Sequence, residues 1–267
     1  QCFDKRVSTM AWNIVQHAFK MVFGNMGQAL KVSLVPFGLL AAFSVLVIMV
    51  TGVPLDGSFN PESGISGLAA LLILSLVVFL VFVMGWVAVS WHRFILLEEY
   101  TALVPATKDR PIWSYVWRSF ILGLLIMLIA MPILMIAGFL LAPTVGSGVA
   151  GFSIFSVIIG LLLGALLSYL WFRWAIILPS IAVGEPMTLR QAWAETAATS
   201  GVIFKVAIIV SVLKIAASTI VSLFYVGLPI VALVADVAVN WTTLMVGVSI
   251  LTTLYGHVVE GRPLSGA

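Results

Sequence analysis

The sequence predicts an all-α integral membrane protein whose six transmembrane helices form three helical hairpins, each preceded by a short interfacial amphipathic helix. Hydrophobic residues make up 62% of the 267 residues and charged residues only 9%, whereas a soluble domain carries about 25% charged residues. Six apolar stretches are each long enough to cross a hydrocarbon core of about 30 Å. This composition excludes a soluble enzyme, a nucleic-acid-binding protein and a disordered chain.

The six predicted spans are the apolar stretches that lie between more polar connections. They cover residues 33–52, 67–91, 119–141, 153–178, 202–227 and 237–255. Lys and Arg are concentrated in the connections on one side, which the positive-inside rule assigns to the cytoplasm. The opposite connections carry Asp56 and Glu62, with Asp236 near that side. We therefore expect a multi-pass protein of the cell inner membrane with both termini in the cytoplasm.

A threefold repeat is visible in the odd-numbered spans. Lys31, Arg118 and Lys205 precede the first, third and fifth spans at equal intervals, and a proline follows each of these spans. Self-similarity at a fixed period is typical of duplicated units. We divide the single membrane domain, residues 1–267, into hairpin repeats at about residues 8–93, 109–178 and 186–258.

Aromatic and basic side chains at the cytoplasmic ends of the even-numbered spans form a second repeated feature. Aromatic rings at the depth of the lipid headgroups, beside a basic side chain, anchor helix ends. The predicted interfacial anchors are Trp91, Arg93, Trp171, Arg173 and Trp193.

The segment before each hairpin has helical patterning. In the first segment, Met10, Ile14, Ala18 and Met21 share one face of a helix, opposite a polar face. The second is short and covers residues 111–117. The third begins with a predicted capping box between Thr188 and Gln191, and Gly201 is expected to end its helix. These helices either contact anionic lipids or a partner protein, or only position each hairpin; we favour positioning.

The fourth span contains a stripe of small residues that recurs every four positions: Ser156, Gly160, Gly164 and Ser168. Small side chains let another helix backbone approach closely in a membrane. We predict a helix-packing seam, either inside the bundle or against another protein.

The fifth span contains Lys214, the one basic residue well inside a span. An unpaired ammonium near the centre of a membrane helix costs about 2.5–3.5 kcal/mol on insertion scales. Ser211 and Ser218 share its face, and Asp236 and Asn240 share a face of the sixth span. This predicted intramembrane polar cluster has two interpretations: a polar site or ion path, or a structural Lys214–Asp236 ion pair that fixes the hairpin register.

Motifs for catalysis are missing from the sequence. It has one cysteine, Cys2, no glycine-rich phosphate loop and no HExxH or GxSxG motif. His92 and His257 occupy related span ends, where a pigment, haem or metal ligand is conceivable, but histidines reaching toward water are the simpler interpretation. Glu98 and Glu99 form one acidic pair next to Arg93 and Lys108, and a solvated salt-bridge cluster explains them without catalysis. We expect no enzymatic activity and no cofactor.

The segment WFRWAIILPSIAVGEPMTLRQAWAETAATSG, with partial echoes in WHRFILLEE and LYGHVVEGRP, resembles YciC-type bacterial inner-membrane proteins and the membrane domain that accompanies some glycerophosphodiester phosphodiesterases. The resemblance implies a multi-pass integral protein without an assigned reaction. It does not extend to the phosphodiesterase catalytic domain, a soluble barrel with metal ligands that this chain lacks.

The sequence therefore favours a non-catalytic function. We expect an accessory, assembly or organising subunit that contacts membrane lipids and other integral membrane proteins, and does not bind nucleic acid. The rival hypothesis is a transporter or permease for a small molecule or lipid that uses the polar face around Lys214.

Overall fold

A computed structural model describes the backbone of residues 2–52, 66–145 and 154–264, and the side chains of residues 7–52, 66–139 and 158–264. Those ranges form helices without any strand: α1 (Cys2–Gly24), α2 (Met26–Thr51), α3 (Gly67–Leu97), α4 (Ile112–Val145), α5 (Ile154–Trp174), α6 (Ile177–Val183), α7 (Leu189–Glu195), α8 (Ser200–Phe224) and α9 (Pro229–Val258). Six of them are long and apolar enough to cross a membrane. The all-α, six-span prediction is confirmed.

The boundaries of these helices differ from the predicted spans mainly at the ends that carry polar residues. The first span was predicted to begin at residue 33, but α2 begins at Met26, seven residues earlier. Residues 111–117 were predicted as a separate helix, but residues 112–117 are the first turns of α4. Polar residues do not interrupt a helix by themselves, so hydropathy marks only the part of each helix inside the hydrocarbon.

The third amphipathic segment folds partly as predicted. Thr188 and Gln191 form the capping box at the start of α7: the Thr188 side chain accepts from the Gln191 backbone N–H, and the Gln191 side chain accepts from the Thr188 N–H. The expectation that Gly201 ends this helix is wrong. The helix ends at Glu195, and Gly201 lies in the first turn of α8.

Buried side chains are concentrated at one end of the bundle, which we call the basic end because most lysines and arginines lie there. It contains the start of α4, the ends of α3 and α9, and the whole of α6. Ile177, Leu178, Ile250 and Leu254 are all at most 1% exposed. These helix ends form one apolar core.

The half of the bundle away from the basic end is open. Leu128 and Met135 of α4 are more than 70% exposed, as are Leu223 of α8 and Ile230 of α9. No soluble protein leaves so much contiguous apolar surface in water. The fold is therefore a compact basic end joined to far halves in which many apolar side chains are exposed, although neighbouring helices still pack there, as Phe43 of α2 does on Phe79 of α3.

The amphipathic helix α1 is part of the compact end. Its buried side chains include Ile14 and Ala18 from the predicted apolar face, and also Ala11, Val15 and Val22. They pack against α8 and α9, which lie near the other end of the chain. Lys205 of α8 also donates to the Ser8 hydroxyl at 2.8 Å.

Gly85 lies at a close crossing of α3 and the start of α4. A Cβ atom added at Gly85 would lie 2.5 Å from Val116 Cγ2. Real Cβ atoms do not come this close to a neighbour, so only glycine fits here without a shift of α4.

Candidate functional site

Two grooves flank α9 and open sideways. The first, which we call the acidic groove, has a volume of about 610 Å³ and lies between α2, α3 and α9. Leu30, Leu34 and Phe37 of α2 give it apolar walls, and Asp236 and Asn240 of α9 supply its polar groups. Nearly all of the groove's surface is apolar, and the half-buried Asp236 is the one ionisable residue among those that line it.

The acidic groove is closed at its base by a side-chain hydrogen bond. Trp241 Nε1 of α9 donates to Ser33 Oγ of α2 at 3.0 Å. Ser33 in turn donates to the Ala29 carbonyl at 2.7 Å, so its hydroxyl both accepts and donates a hydrogen bond. This bond ties α2 to α9 at one level and leaves the two helices apart beyond it.

The second groove, which we call the basic groove, has a volume of about 320 Å³ and lies between α1, α8 and α9. Phe19, Val210 and Val246 are among its apolar residues, and Lys214 and Thr242 are among its polar residues. Lys214 is exposed. Its ammonium therefore reaches the lateral surface of the bundle rather than a buried partner.

The structure does not bring Lys214 and Asp236 together within one copy. Asp236 lines the acidic groove and Lys214 the basic groove, and these grooves adjoin different faces of α9. Neither side chain forms an ion pair within the described part of the chain. Ser211 is buried, whereas Ser218 and Asn240 are exposed. The predicted polar cluster is thus divided between two surfaces.

The small-residue stripe of α5 meets α8 over only part of its length. A Cβ atom at Gly164 would lie 3.6 Å from Ser211 Oγ of α8, and neighbouring Ala165 is buried. Gly160 is exposed, and a Cβ atom there would meet nothing within 4 Å. Ser168 is half-buried, and the Ser156 side chain lies outside the described residues.

Two of the five predicted anchors lie inside the protein instead of facing lipid headgroups. Trp91 is completely buried, and its Nε1 donates to Ser249 Oγ at 2.8 Å. Arg173 is 5% exposed. Both residues stand at helix ends, as predicted, but the surrounding helices α7 and α9 cover them.

Arg173 joins the end of α5 to α7 without any carboxylate partner among the described residues. Its guanidinium donates to Thr196 Oγ1 at 3.0 Å, to the Trp193 carbonyl at 2.6 Å and to the Tyr169 hydroxyl at 3.1 Å. It also lies 3.5 Å from the centre of the Trp193 ring. Such a cation–π contact replaces part of the lost hydration. Trp193 is 39% exposed and Trp171 half-buried, so these two reach the surface.

A buried hydrogen-bonded chain links three helices through His92 of α3. Nδ1 of His92 lies 2.8 Å from Thr252 Oγ1 of α9, and Nε2 lies 3.2 Å from the Tyr115 hydroxyl of α4. Because the Thr252 hydroxyl donates to the Val248 carbonyl at 2.9 Å, it accepts from Nδ1–H. Neutral His92 is then the Nδ1–H tautomer, and Nε2 accepts from Tyr115.

The sequence analysis did not predict this hydrogen-bonded chain, because the partners of His92 are ordinary Tyr and Thr residues. Spacing offers one signal: Ser249, Thr252 and Thr253 recur on one face of α9, which is unusual in an apolar helix. His257 does not contact His92; its Nδ1 lies 3.0 Å from the Arg262 carbonyl. Within the described ranges, no three His, Cys, Asp or Glu side chains cluster in a metal-binding arrangement.

A charged network covers the basic end beside this chain. Glu99 accepts from Arg93 Nε at 3.0 Å and from Nη2 at 2.5 Å, and also pairs with Arg110. Arg93 further donates to the Ala182 carbonyl at 2.7 Å, which ties α3 to α6. The hydrogen bond from Arg93, with the charges of Arg93 and Arg110, lowers the pKa of Glu99 although partial burial opposes this shift.

The fold and its surfaces define a class of protein. Six apolar helices with lipid-facing far halves make this chain a multi-pass membrane protein. No family model, curated protein or solved structure matches the chain.

Proposed function

We propose that this chain is a non-catalytic accessory or organising subunit of a membrane complex. The observation that carries this proposal is the contrast between the compact basic end and the far halves of the six helices, where many apolar side chains are exposed. A scaffold of this shape fixes the helices at one end and presents their sides to lipids or to the helices of another protein.

The charge distribution supports one orientation of this scaffold. Basic residues lie at the compact end, so the positive-inside rule places that end and both termini in the cytoplasm of a cell with an inner membrane. We propose that the chain belongs to the YciC-type membrane proteins of bacteria, on the basis of the sequence segment that begins at Trp171. The amphipathic α1 then lies at the cytoplasmic surface with its apolar face on α8 and α9.

Photo-crosslinking in native membranes tests the proposed function. A photoreactive amino acid is placed at Leu128 or Met135 on α4, or at Val231 on α9; all three positions are exposed. An accessory subunit gives a discrete protein adduct at one of these faces in native membranes. The same variant reconstituted in lipid alone serves as the control and gives only adducts with lipid or with a second copy, so the adduct that supports the proposal contains a different protein. Lipid adducts at all three positions in native membranes would contradict the proposal.

A transporter is the second candidate, and the two ionisable side chains in the grooves favour it. Intramembrane charges in transporters mark substrate or proton pathways. Under this hypothesis, Lys214→Met leaves the protein folded in proteoliposomes but abolishes a flux that the unaltered protein supports. Flux that is equal in both proteins and in empty liposomes, over a panel of ions and amphiphiles, would count against transport.

A further inference from the structure

We propose that this chain associates with a second copy of itself head to tail, with Lys214 of one copy paired with Asp236 in the acidic groove of the next. This association does not depend on the accessory role proposed above. Its first support is that both charges are accessible and that neither forms an ion pair within the described ranges. Ionisable side chains inside membranes almost always pair with one another or face water.

The two charges lie at similar depths. Lys214 is ten residues from Phe224, where α8 ends, and Asp236 is seven residues from Pro229, where α9 begins. At 1.5 Å per residue these separations are about 15 Å and about 10 Å from the same end of the bundle. A difference of about 5 Å along the axis is within reach of an extended lysine side chain.

The surfaces around the two charges are also suited to each other. Leu213 and Ile220 are exposed on α8 on either side of Lys214 in the chain. Leu34 of α2 and Val237 of α9 are exposed at the acidic groove. Apolar side chains on both surfaces surround one positive and one negative charge, so a contact between copies pairs the charges inside an apolar rim.

A lipid satisfies this arrangement less well than a second copy does. Lipid headgroup charges lie at the membrane surface, whereas both side chains lie more than one helical turn below the helix ends. One headgroup charge also serves only one of the two grooves. Because the two surfaces are different, the contact is heterologous, and each copy keeps one free surface unless a ring closes.

Crosslinking between two distinguishable copies tests the contact directly. Leu213→Cys, next to Lys214, is made in one tagged copy, and Val237→Cys, next to Asp236, in a copy with another tag, both in a Cys2→Ser background; both positions are exposed, and both charges are retained. We expect a short bifunctional thiol crosslinker to join the two tags in native membranes. The matched control is Leu128→Cys, which is 73% exposed on α4, paired with Val237→Cys; this pair is expected to remain uncrosslinked. Equal crosslinking in both pairs, or none in either, overturns the proposal.

Charge exchange then tests whether the ion pair causes the association, with dimer fraction measured by single-molecule photobleaching in liposomes of one lipid composition. We expect Lys214→Asp or Asp236→Lys alone to weaken association by about tenfold or more, equivalent to about 1.4 kcal/mol. The doubly exchanged chain regains association, and so does a mixture of the two single variants, which retains complementary charges only between copies.

Milder variants allow the same test if charge exchange prevents folding. If a charge-exchanged chain does not fold, Lys214→Met and Asp236→Asn replace it, and the mixture of these two variants again retains one intact pair between copies. A chain that stays monomeric at every density, or single variants that associate as well as the unaltered protein, overturns the proposal. One further outcome also overturns the proposal: the protein is monomeric in liposomes and binds a lipid that the Asp236→Asn variant no longer binds. That result assigns the acidic groove to lipid.

Discussion

Replacement of Gly85 by alanine tests the close crossing of α3 and α4. The new methyl carbon would lie 2.5 Å from Val116 Cγ2, and Val116 cannot turn away easily because β-branched side chains have one preferred rotamer in a helix. Overpacking of this kind costs about 1–3 kcal/mol, whereas alanine in place of glycine gains up to about 1 kcal/mol of helix propensity. We expect a net loss of about 1–2 kcal/mol in the free energy of unfolding.

The assay is reversible unfolding of the purified protein in one detergent, with Gly123→Ala as the matched control. A Cβ atom at Gly123 of α4 would meet nothing within 4 Å, so that variant should be as stable as the original or slightly more stable. The double variant Gly85→Ala/Val116→Ala should lose less stability than the sum of the two single changes, because the smaller side chain makes room. Equal stability of the Gly85 and Gly123 variants would refute this account of the crossing.

Three further predictions concern the basic end and the α5–α8 contact. Because the pKa of Glu99 is lowered, its ion pairs stabilise the protein at pH values above the ordinary glutamate pKa of 4.5. This contribution is lost as pH falls through the lowered pKa. The free energy of unfolding of Glu99→Gln, measured against pH, should therefore fall less at acid pH than that of the original protein, and an unchanged profile would contradict this. His92→Phe leaves the buried Tyr115 hydroxyl without its partner and should cost about 1–3 kcal/mol, part of which His92→Phe/Tyr115→Phe should recover in the same unfolding assay. Gly164→Leu should lower the melting temperature because its side chain meets α8, while Gly160→Leu should not; equal effects would refute the partial seam.

Hydropathy predicted the number of spans because lipid requires about 20 apolar residues per crossing, whatever the neighbours are. It did not predict α6, since residues 177–183 are as apolar as a span and differ only in being buried at the basic end. Hydropathy also did not predict the tertiary position of α1. An apolar face such as that of Ile14 and Ala18 specifies burial but not whether lipid or α8 and α9 provide it.

At the candidate site, sequence likewise predicts how deep a residue lies in the membrane but not the direction in which its side chain points. Sequence placed Lys214 correctly inside a span, because depth follows from distance along a helix. It placed Asp236 just before the sixth span, whereas α9 begins at Pro229 and includes Asp236. Their pairing within one copy depended on the rotation of α8 relative to α9, which a pattern of polar residues does not determine. The histidine chain was missed for a different reason: Tyr115 and Thr252 become significant only when three helices place them around His92.

The packing of α1 against α8 and α9 also sets an order in biosynthesis. Helix α1 leaves the ribosome before its partners α8 and α9, which lie much later in the sequence. At roughly 5–20 residues per second, the interval between Gly24 and Ser200 is on the order of 10–35 s. Throughout that time the apolar face of α1 has only the membrane surface to cover it, and amphipathic helices bind such surfaces. Completion of the basic end therefore awaits the last hairpin, so a chain truncated before α8 would leave its first helix on the lipid surface.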